Sequence, residues 1–293
     1  MYTSIPLTDR HSVTLKRFDL MHPHFMGNKF YKLKYNIAKA KEQGYDTLVS
    51  LGGAWSNHLH ALAHVAKEDG FKSIGLVRGH AECFNSAMLE EVHNLGMQLH
   101  FLSREEYAER EEPFFKAWVQ KSFGRSYLIP EGGSNFLGMQ GAMEMVSKED
   151  KQKYDVLCVS AGTGATAAGI ACIWQNPLHV FPCVNDETGI KKLLRKHLNY
   201  AYFNPELSEE IMHRITFCGG YHFGGFGKKS AQVIDFIQDT IDKHGVELDL
   251  IYTAKMILGI KDLCEKGIYT TEQRILAFHT GGVQGNRSIN LSR

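Results

Sequence analysis

Short apolar runs alternate with amphipathic segments along the first half of the chain. The apolar runs predict strands at 47–51, 73–77, 98–102 and 126–129. Between them, apolar residues recur every three to four positions, which predicts helices at 56–67, 87–95 and 105–123, the last interrupted or restarted near Pro113. Because strands that alternate with helices form parallel sheets with right-handed crossovers, this pattern predicts an α/β unit.

The same alternation restarts after residue 137. Helices are predicted at 138–146, 165–174, 190–198, 229–244 and 254–265. Strands are predicted at 154–160, 179–184 and 274–279, and residues 250–253 are expected to be extended. We therefore expect an α/β fold of two domains, each an open, mostly parallel twisted sheet flanked by helices. The smaller domain is expected at 33–137, inserted into a larger domain formed by 1–32 and 138–293.

Composition narrows the class of protein. The chain has 293 residues, of which 43% are hydrophobic, and its net charge is +1. This near-neutral charge gives no basic surface for nucleic acid or an anionic membrane. No apolar run is long enough to span a bilayer, and the first residues lack a basic and then apolar leader. The six cysteines lie mostly in apolar runs, as buried thiols do in a reducing compartment, so we expect a soluble cytoplasmic protein.

Histidines are numerous but scattered. Fifteen occur in the chain, and His60 and His64 can share one helix face. Neither a His-Glu-x-x-His motif nor paired Cys-x-x-Cys motifs occur, and no third ligand stands near these two histidines in the sequence. We therefore expect no metal site.

Two lysines, Lys29 and Lys32, follow Gly27 at the start of an amphipathic segment. Residues three apart share a helix face, where two like charges repel each other. One explanation is an ordinary solvated basic helix start. The alternative is a lysine that forms a Schiff base, with its pKa lowered by a second lysine that neutralises a phosphate.

A glycine-rich turn follows the predicted strand at 154–160. Its backbone and hydroxyl groups offer a phosphate cradle formed by Gly162, Thr163, Gly164, Ala165 and Thr166. It is not a Walker loop, because no Lys-Ser/Thr pair follows, and its glycine spacing differs from the dinucleotide fingerprint. A purely structural tight turn remains open.

Two further turns carry polar groups at strand ends, where open α/β sheets bind ligands. Ser56, Asn57 and His58 follow Gly52-Gly53, and Ser56 is a candidate helix N-cap. The same hydroxyl, amide and helix N–H groups also suit a carboxylate. Thr280 stands in the last turn, after the strand at 274–279.

Six segments occur in an order that is far more specific than any one of them: GNKFYKL at 27–33, LGGAWSN at 51–57, EGGSN at 131–135, GTGAT at 162–166, DLIYTAK at 249–255 and HTGG at 279–282. In this order, from about residue 15 to 282, the sequence resembles the 1-aminocyclopropane-1-carboxylate deaminase/D-cysteine desulfhydrase family. That family belongs to the tryptophan-synthase-β-like, fold type II pyridoxal-phosphate enzymes. The resemblance implies pyridoxal 5′-phosphate as cofactor, a small amino acid as substrate and a homodimer.

The resemblance also implies roles at the cofactor. Lys29 would carry pyridoxal phosphate as a Schiff base and, once released, act as a base beside the substrate α-carbon. Lys32 would approach the phosphate, which residues 162–166 would hold. Asn57 would contact the ring hydroxyl, and Thr280 would face the pyridine nitrogen.

For the substrate, the resemblance implies a catalytic pair in addition to Lys29. Ser56 would bind the carboxylate and take part in proton transfer, and Tyr252 would stack near the ring or contact the substrate. Asn57 and His58 would line the same site.

Two threonines distinguish this chain from the ring-opening deaminases of the family, which place a glutamate directly after the active-site tyrosine. Here Thr253 occupies that position, and Thr280 occupies the other position near the ring. A hydroxyl cannot supply the charge of a carboxylate that keeps the pyridine nitrogen protonated. Because elimination of thiolate needs a weaker electron sink than opening a cyclopropane, the chain is similar to the D-cysteine desulfhydrase branch. Which threonine faces the nitrogen stays open.

Two departures from the family pattern bear on the substrate. Phe226 stands where the family has a second tyrosine, and it cannot donate a proton. His58 stands where glutamine is common. Both departures weaken the prediction of a ring-opening deaminase.

The leading hypothesis is a lyase or deaminase that converts D-cysteine to pyruvate, sulfide and ammonia by α,β-elimination. A 1-aminocyclopropane-1-carboxylate deaminase and a D-serine dehydratase-like deaminase are alternatives within the family. A non-catalytic protein that binds pyridoxal phosphate is an alternative of another class. A nucleotide-binding module that uses only the glycine-rich turn is disfavoured by the spacing of its glycines.

Overall fold

The computed structural model describes residues 1–22, 27–80 and 86–291. Within these ranges the strands are β1 (Tyr2–Pro6), β2 (Ser12–Arg17), β3 (Thr47–Gly52), β4 (Lys72–Arg78), β5 (Gln98–Leu102), β6 (Tyr127–Ile129), β7 (Val156–Ala161), β8 (Leu178–Pro182), β9 (Ile215–Phe217) and β10 (Ile275–His279). The α-helices are α1 (Asn28–Glu42), α2 (Asn57–Asp69), α3 (Ala87–Asn94), α4 (Arg104–Ala108), α5 (Pro113–Phe123), α6 (Phe136–Met143), α7 (Lys148–Lys153), α8 (Ala165–Ile173), α9 (Glu187–Tyr202), α10 (Pro205–His213), α11 (Ala231–His244) and α12 (Thr253–Glu265).

The strands form two sheets. The six-stranded sheet has the order β1-β2-β10-β7-β8-β9, and the four-stranded sheet has the order β5-β4-β3-β6. Only the β1–β2 pair is antiparallel among these described strands. The predicted α/β fold with two mostly parallel sheets is therefore confirmed. The four-stranded sheet lies between residues 47 and 129, and the predicted domain limits at 33 and 137 stay a prediction.

Helices cover both faces of the larger sheet, and alternate side chains of its strands pack against them. Along β7, Leu157 and Val159 pack into a core with α8, whereas Val156 and Cys158 pack into a second core with α11 and α12. Successive side chains of a strand point to opposite faces, so a strand covered on both sides reads as a continuous apolar run. This is why the central strands β3, β7 and β10, buried along their whole length, were predicted from the sequence.

The prediction of an extended segment at 250–253 is wrong. The side chain of Asp249 accepts hydrogen bonds from the backbone N–H groups of Ile251, Tyr252 and Thr253, at 3.1, 2.8 and 2.8 Å. These bonds turn the chain into the start of α12. An N-terminal carboxylate satisfies the free N–H groups of a helix, and this outweighs the local strand propensity of the apolar residues.

Five of the described elements escaped the sequence analysis, namely β1, β2, β9, α7 and α10. Of the three strands, β1 and β9 lie at the edges of the larger sheet, and β9 has three residues. Edge strands carry weak apolar patterns because one of their sides is not paired. Among the described residues, no helix is both long and apolar enough to cross a membrane.

Candidate functional site

Turns at the carboxyl ends of β3, β7 and β10 approach one another, as expected for a ligand crevice. At the end of β10, a Cβ added to Gly282 would lie 2.6 Å from Asn57 Nδ2, beyond the end of β3. At the end of β7, Thr166 Oγ1 accepts a 2.9 Å hydrogen bond from Asn28 Nδ2. The Asn28 N–H donates to the Thr280 carbonyl oxygen at 3.2 Å. Asn28 therefore ties the lysine segment to two of the three turns.

Lys29 is the second residue of α1, and Gly27 directly precedes this helix. The φ of Gly27 is 77°, and a Cβ there would collide with the Thr280 carbonyl oxygen, so the close approach requires glycine. Lys29 Nζ donates to Asn28 Oδ1 at 3.0 Å. Burial lowers the pKa of Lys29 to about 8, although the charge of Asp249 partly opposes this shift. About half of this amine is therefore unprotonated near pH 8, whereas an ordinary lysine is almost fully protonated there.

Lys32 carries a buried amine. Its relative exposure is 2%, and no carboxylate forms an ion pair with it in the described parts of the chain. Burial, and then the charge of Lys29, hold the pKa of Lys32 well below its usual value. An unpaired buried charge is costly, so this arrangement suits an anionic ligand that neutralises it.

The glycine-rich turn lies near this lysine, since His197, whose pKa Lys32 influences, contacts Thr163. α8 begins after Gly164 without a side-chain cap, which leaves N–H groups of its first turn free for an anion. The Thr163 carbonyl accepts from Ser134 Oγ and His197 Nε2, each at 3.2 Å, which fixes the turn. The pKa of His197 is lowered to about 4, mainly by burial and partly by the charge of Lys32. The uncapped helix start and the unpaired lysine together fit a phosphate group.

Ser56 caps α2, as the sequence predicted, and its Oγ accepts from the Leu59 N–H at 3.2 Å. Asn57, the first residue of α2, has its Oδ1 2.6 Å from Gln284 Nε2. The Asn57 amide therefore lies beside the turn that follows β10.

His58 is buried, with Nε2 2.9 Å from Ser50 Oγ. Because the single hydroxyl proton of Ser50 is donated to the Ile129 carbonyl, Nε2 of His58 must carry the proton of this contact. His58 Nδ1 is then an acceptor, and it has no hydrogen-bond partner among the described residues. Burial and the charges of Lys29 and Lys32 hold the pKa of His58 well below its usual value, so the ring is neutral.

Tyr252 lies against the glycine-rich turn. A Cβ added at Gly162 would be 3.2 Å from Tyr252 Cε1 and 3.4 Å from its hydroxyl. Burial raises the pKa of Tyr252 well above its usual value, so the hydroxyl stays protonated. Thr253, the next residue, is fully buried, and its Oγ1 has no hydrogen-bond partner among the described residues. The Thr280 side chain is also buried, at 8% exposure.

The segment around Phe226 covers Tyr252. The two ring centroids are 6.1 Å apart, and Phe226 is 51% exposed. Lys255 Nζ donates to the carbonyl oxygens of His222 and Gly225 at 2.9 and 2.8 Å, which holds this segment in place.

Several residues were missed as contributors to the site. Asn28, Asp249 and Lys255 stand inside the quoted motifs, so their position in a motif was an available signal. Gln284 had no signal, because its contact with Asn57 joins residues that are 227 positions apart.

Glu91 supplies the third polar partner that His60 and His64 lacked in the sequence. Glu91 Oε1 lies 3.0 and 3.1 Å from their Nε2 atoms. These ligand-type atoms all lie within 4.8 Å of one another, the spacing of a candidate cation site. The other oxygen of Glu91 accepts from Arg287 at 2.6 Å, so the carboxylate also completes a hydrogen-bond network.

Comparison with known proteins agrees with this geometry. The pattern of the family described as pyridoxal-phosphate dependent enzyme matches residues 4–281. A Thermotoga maritima protein provisionally named 1-aminocyclopropane-1-carboxylate deaminase is 28% identical, over 94% of this chain and 89% of its own length. The Arabidopsis thaliana mitochondrial bifunctional D-cysteine desulfhydrase/1-aminocyclopropane-1-carboxylate deaminase is 28% identical, over 92% of this chain and 72% of its own length.

Solved structures give the same result for the fold. A crystal structure of an ACC deaminase homologue has a TM-score of 0.82 at 25% identity and covers 98% of this chain and 90% of its own. The predicted fold type II architecture and the family resemblance are therefore confirmed. The chain belongs to the family of pyridoxal-phosphate dependent enzymes, in the group that includes 1-aminocyclopropane-1-carboxylate deaminase and D-cysteine desulfhydrase, and its cofactor is pyridoxal 5′-phosphate.

Proposed function

We propose that the protein eliminates sulfide from D-cysteine to give pyruvate and ammonia. In this reaction the Cα–H and Cβ–S bonds break, and hydrolysis of the resulting unsaturated amine releases ammonia. The observation that carries the proposal is the surroundings of Tyr252. The ring of Phe226 lies 6.1 Å from that of Tyr252 and offers no second phenol. Thr253, the residue after Tyr252, offers no carboxylate. Elimination of a thiolate needs fewer acid groups than opening a cyclopropane ring.

Lys29 is the proposed base. With its pKa at about 8, its amine can accept the α-proton near neutral pH. When bound, pyridoxal phosphate supplies the electron sink that makes this α-proton acidic. Lys32 and the uncapped start of α8 would hold the phosphate, with residues 162–166 forming its cradle.

The substrate carboxylate is proposed to bind at the start of α2. Ser56 Oγ and the free N–H groups of this first turn form a site for an anion, and Asn57 stands at its edge. His58 adds a hydrogen-bond acceptor to this site. Its Nδ1, which has no partner among the described residues, would accept a hydrogen bond from a protonated group of the substrate or cofactor.

Tyr252 is proposed to assist the leaving group. Its raised pKa keeps the hydroxyl protonated, so it can donate a hydrogen bond to the departing sulfur. Thr253 or Thr280 would face the pyridine nitrogen with a neutral hydroxyl, which gives a weaker electron sink than a carboxylate. This is sufficient for a leaving group as good as thiolate.

The test measures pyruvate and sulfide released from D-cysteine, L-cysteine, D-serine and 1-aminocyclopropane-1-carboxylate in parallel. D-cysteine is expected to be the best substrate, with equal amounts of pyruvate and sulfide. Lys29→Ala should abolish turnover, and Lys151→Ala, the same change on an exposed lysine of α7, should not. The Lys29→Ala sample also corrects for slow reaction of free cofactor with the thiol.

Other outcomes select the alternatives. 2-Oxobutyrate from the cyclopropane amino acid with no sulfide from D-cysteine would establish a ring-opening deaminase. Pyruvate from D-serine alone would establish a dehydratase. A coloured protein that is inert with all four compounds would refute each of these activities and favour a non-catalytic binding protein.

We also propose a homodimer, which rests on the family resemblance, and a smaller domain at 33–137 inserted into a larger one. Light scattering of the purified protein tests the first proposal. Hydrogen exchange of the intact protein tests the second, because the amides of 33–137 should open as a cooperative unit separate from the rest of the chain.

A further inference from the structure

We propose that Gln284 and Arg287 are positioning residues that orient the Asn57 amide so that its NH2 group faces the cofactor. The inference rests on the proposed role of Asn57 at the cofactor ring oxygen. Both residues lie in the 3-10 turn Val283–Ser288, which follows β10 and Gly282. The sequence motifs contain neither of them.

The orientation follows from hydrogen-bond chemistry. Arg287 has donors only, and its Nη2 lies 3.0 Å from one end of the Gln284 amide, so that end must be the oxygen. The other end is therefore the nitrogen, which agrees with its 3.3 Å distance from the Trp55 carbonyl oxygen. This nitrogen lies 2.6 Å from one end of the Asn57 amide, so that end must be the acceptor oxygen. The NH2 group of Asn57 is left as the free donor.

The Nδ2 atom of Asn57 faces the turn at Gly282, near the carboxylate carbon of Asp249. It lies 2.6 Å from the position that a Cβ of Gly282 would occupy, beside the turn that also contacts the Lys29 segment through Thr280. Within the described residues, Nδ2 donates no hydrogen bond. An amide nitrogen can satisfy a ring oxygen that carries negative charge, whereas an amide oxygen would repel it.

Arg287 is itself held by a carboxylate. Its Nη1 lies 2.6 Å from Glu91 Oε2, and its Nε donates to the Gln284 carbonyl at 3.1 Å. Partial burial raises the pKa of Glu91, but the contacts of this carboxylate with His60, Arg287 and His64 have the larger effect. The resulting pKa is about 2. The carboxylate is therefore charged over the working pH range and anchors Arg287.

This chain of contacts joins elements of both sheets. Glu91 lies on α3, and the two histidines that donate to its Oε1 lie on α2, next to the four-stranded sheet. Gln284 and Arg287 follow the last strand of the six-stranded sheet. The orientation of Asn57 thus depends on the two sheets keeping their relative position.

The decisive variant is Gln284→Glu, which keeps the size of the side chain and its acceptor for Arg287 but removes the donor to Asn57. The Asn57 amide is then expected to turn its NH2 group toward the new carboxylate and its oxygen toward the cofactor. The dissociation constant of pyridoxal phosphate should rise about tenfold, which corresponds to about 1.4 kcal/mol. Holoenzyme is dialysed to equilibrium at several cofactor concentrations, and the bound fraction is read from its visible absorbance.

The control is a double-mutant cycle with Asn57→Ala. If Gln284 acts through Asn57, Gln284→Glu should change cofactor affinity less than twofold in the Asn57→Ala background. Additive losses in the two backgrounds would overturn the proposal, since they would indicate a general structural effect. Gln152→Glu, the same change on the exposed face of α7, should leave affinity unchanged.

The cycle also separates this proposal from the proposed function. Unchanged affinity in Asn57→Ala would refute the contact of Asn57 with the cofactor and, with it, the positioning role. A tenfold loss in Asn57→Ala with none in Gln284→Glu would refute the positioning role alone. If Gln284→Glu does not fold, Gln284→Met, which lacks both donor and acceptor, is expected to show the same dependence on Asn57. D-cysteine turnover is assayed separately and does not enter this comparison.

Discussion

Replacing Lys29 by methionine should stabilise the cofactor-free protein while it abolishes the coloured holoenzyme. The side chain is partly buried, and burial lowers the pKa of its amine from 10.5 to about 8, which means that the fold disfavours the charged form. This shift corresponds to a cost of about 3 kcal/mol at pH 7, at 1.36 kcal/mol per pKa unit. Methionine has a similar length and no charge, so it removes this cost.

The pH dependence identifies the charge as the cause. Since the pKa is lower in the folded than in the unfolded state, the stability associated with a neutral Lys29 is fully present above 10.5 and is lost as the pH falls through about 8. The advantage of the methionine variant should therefore be largest at or below pH 7. About 2 kcal/mol of that advantage should disappear by pH 9.5.

The assay is urea unfolding of cofactor-free wild type and variant at pH 7.0 and 9.5, with the free energy of unfolding taken from the linear extrapolation. Lys151→Met, on an exposed site of α7, is the matched control and should show no such difference. The assignment of a lowered pKa to Lys29 would be refuted by a Lys29→Met protein that is less stable than wild type at pH 7. It would also be refuted if the difference in free energy of unfolding between the two proteins were the same at both pH values.

Three further changes test other parts of the site. Lys32→Met should raise the dissociation constant of pyridoxal phosphate about 10- to 100-fold, because a charge-assisted contact is lost; equilibrium dialysis measures this. The same change should raise the melting temperature of the cofactor-free protein, because a buried amine without an ion pair is removed; calorimetry measures this. Gly282→Ala should destabilise the protein by about 1–3 kcal/mol, since its φ is 94° and the new Cβ would meet Asn57 Nδ2; urea unfolding measures this loss. Lys255→Met removes the bonds to two loop carbonyls, so hydrogen exchange at 219–228 should become faster and KM for D-cysteine should rise severalfold, while unchanged exchange would contradict this role.

The sequence by itself determined the fold class, the family and the cofactor. β3, β7 and β10 are covered on both faces, so their continuous apolar runs and the turns that follow them are visible locally. The role of Ser56 as a helix cap was also readable, because a cap depends on residues within one turn. The ordered motifs then identified the family, which the comparisons confirmed.

Only the tertiary structure decided how charges and amides are partnered. That Lys32 is buried without an ion pair depends on every element packed around it. Asn57 acquires its orientation from Gln284, and Glu91 joins two histidines to Arg287, 196 positions away. The Asp249 side chain changed 250–253 from an expected strand into a helix start. Hydrophobic periodicity reports which face of an element is buried, whereas hydrogen bonds and ion pairs between distant segments depend on the positions that packing gives them.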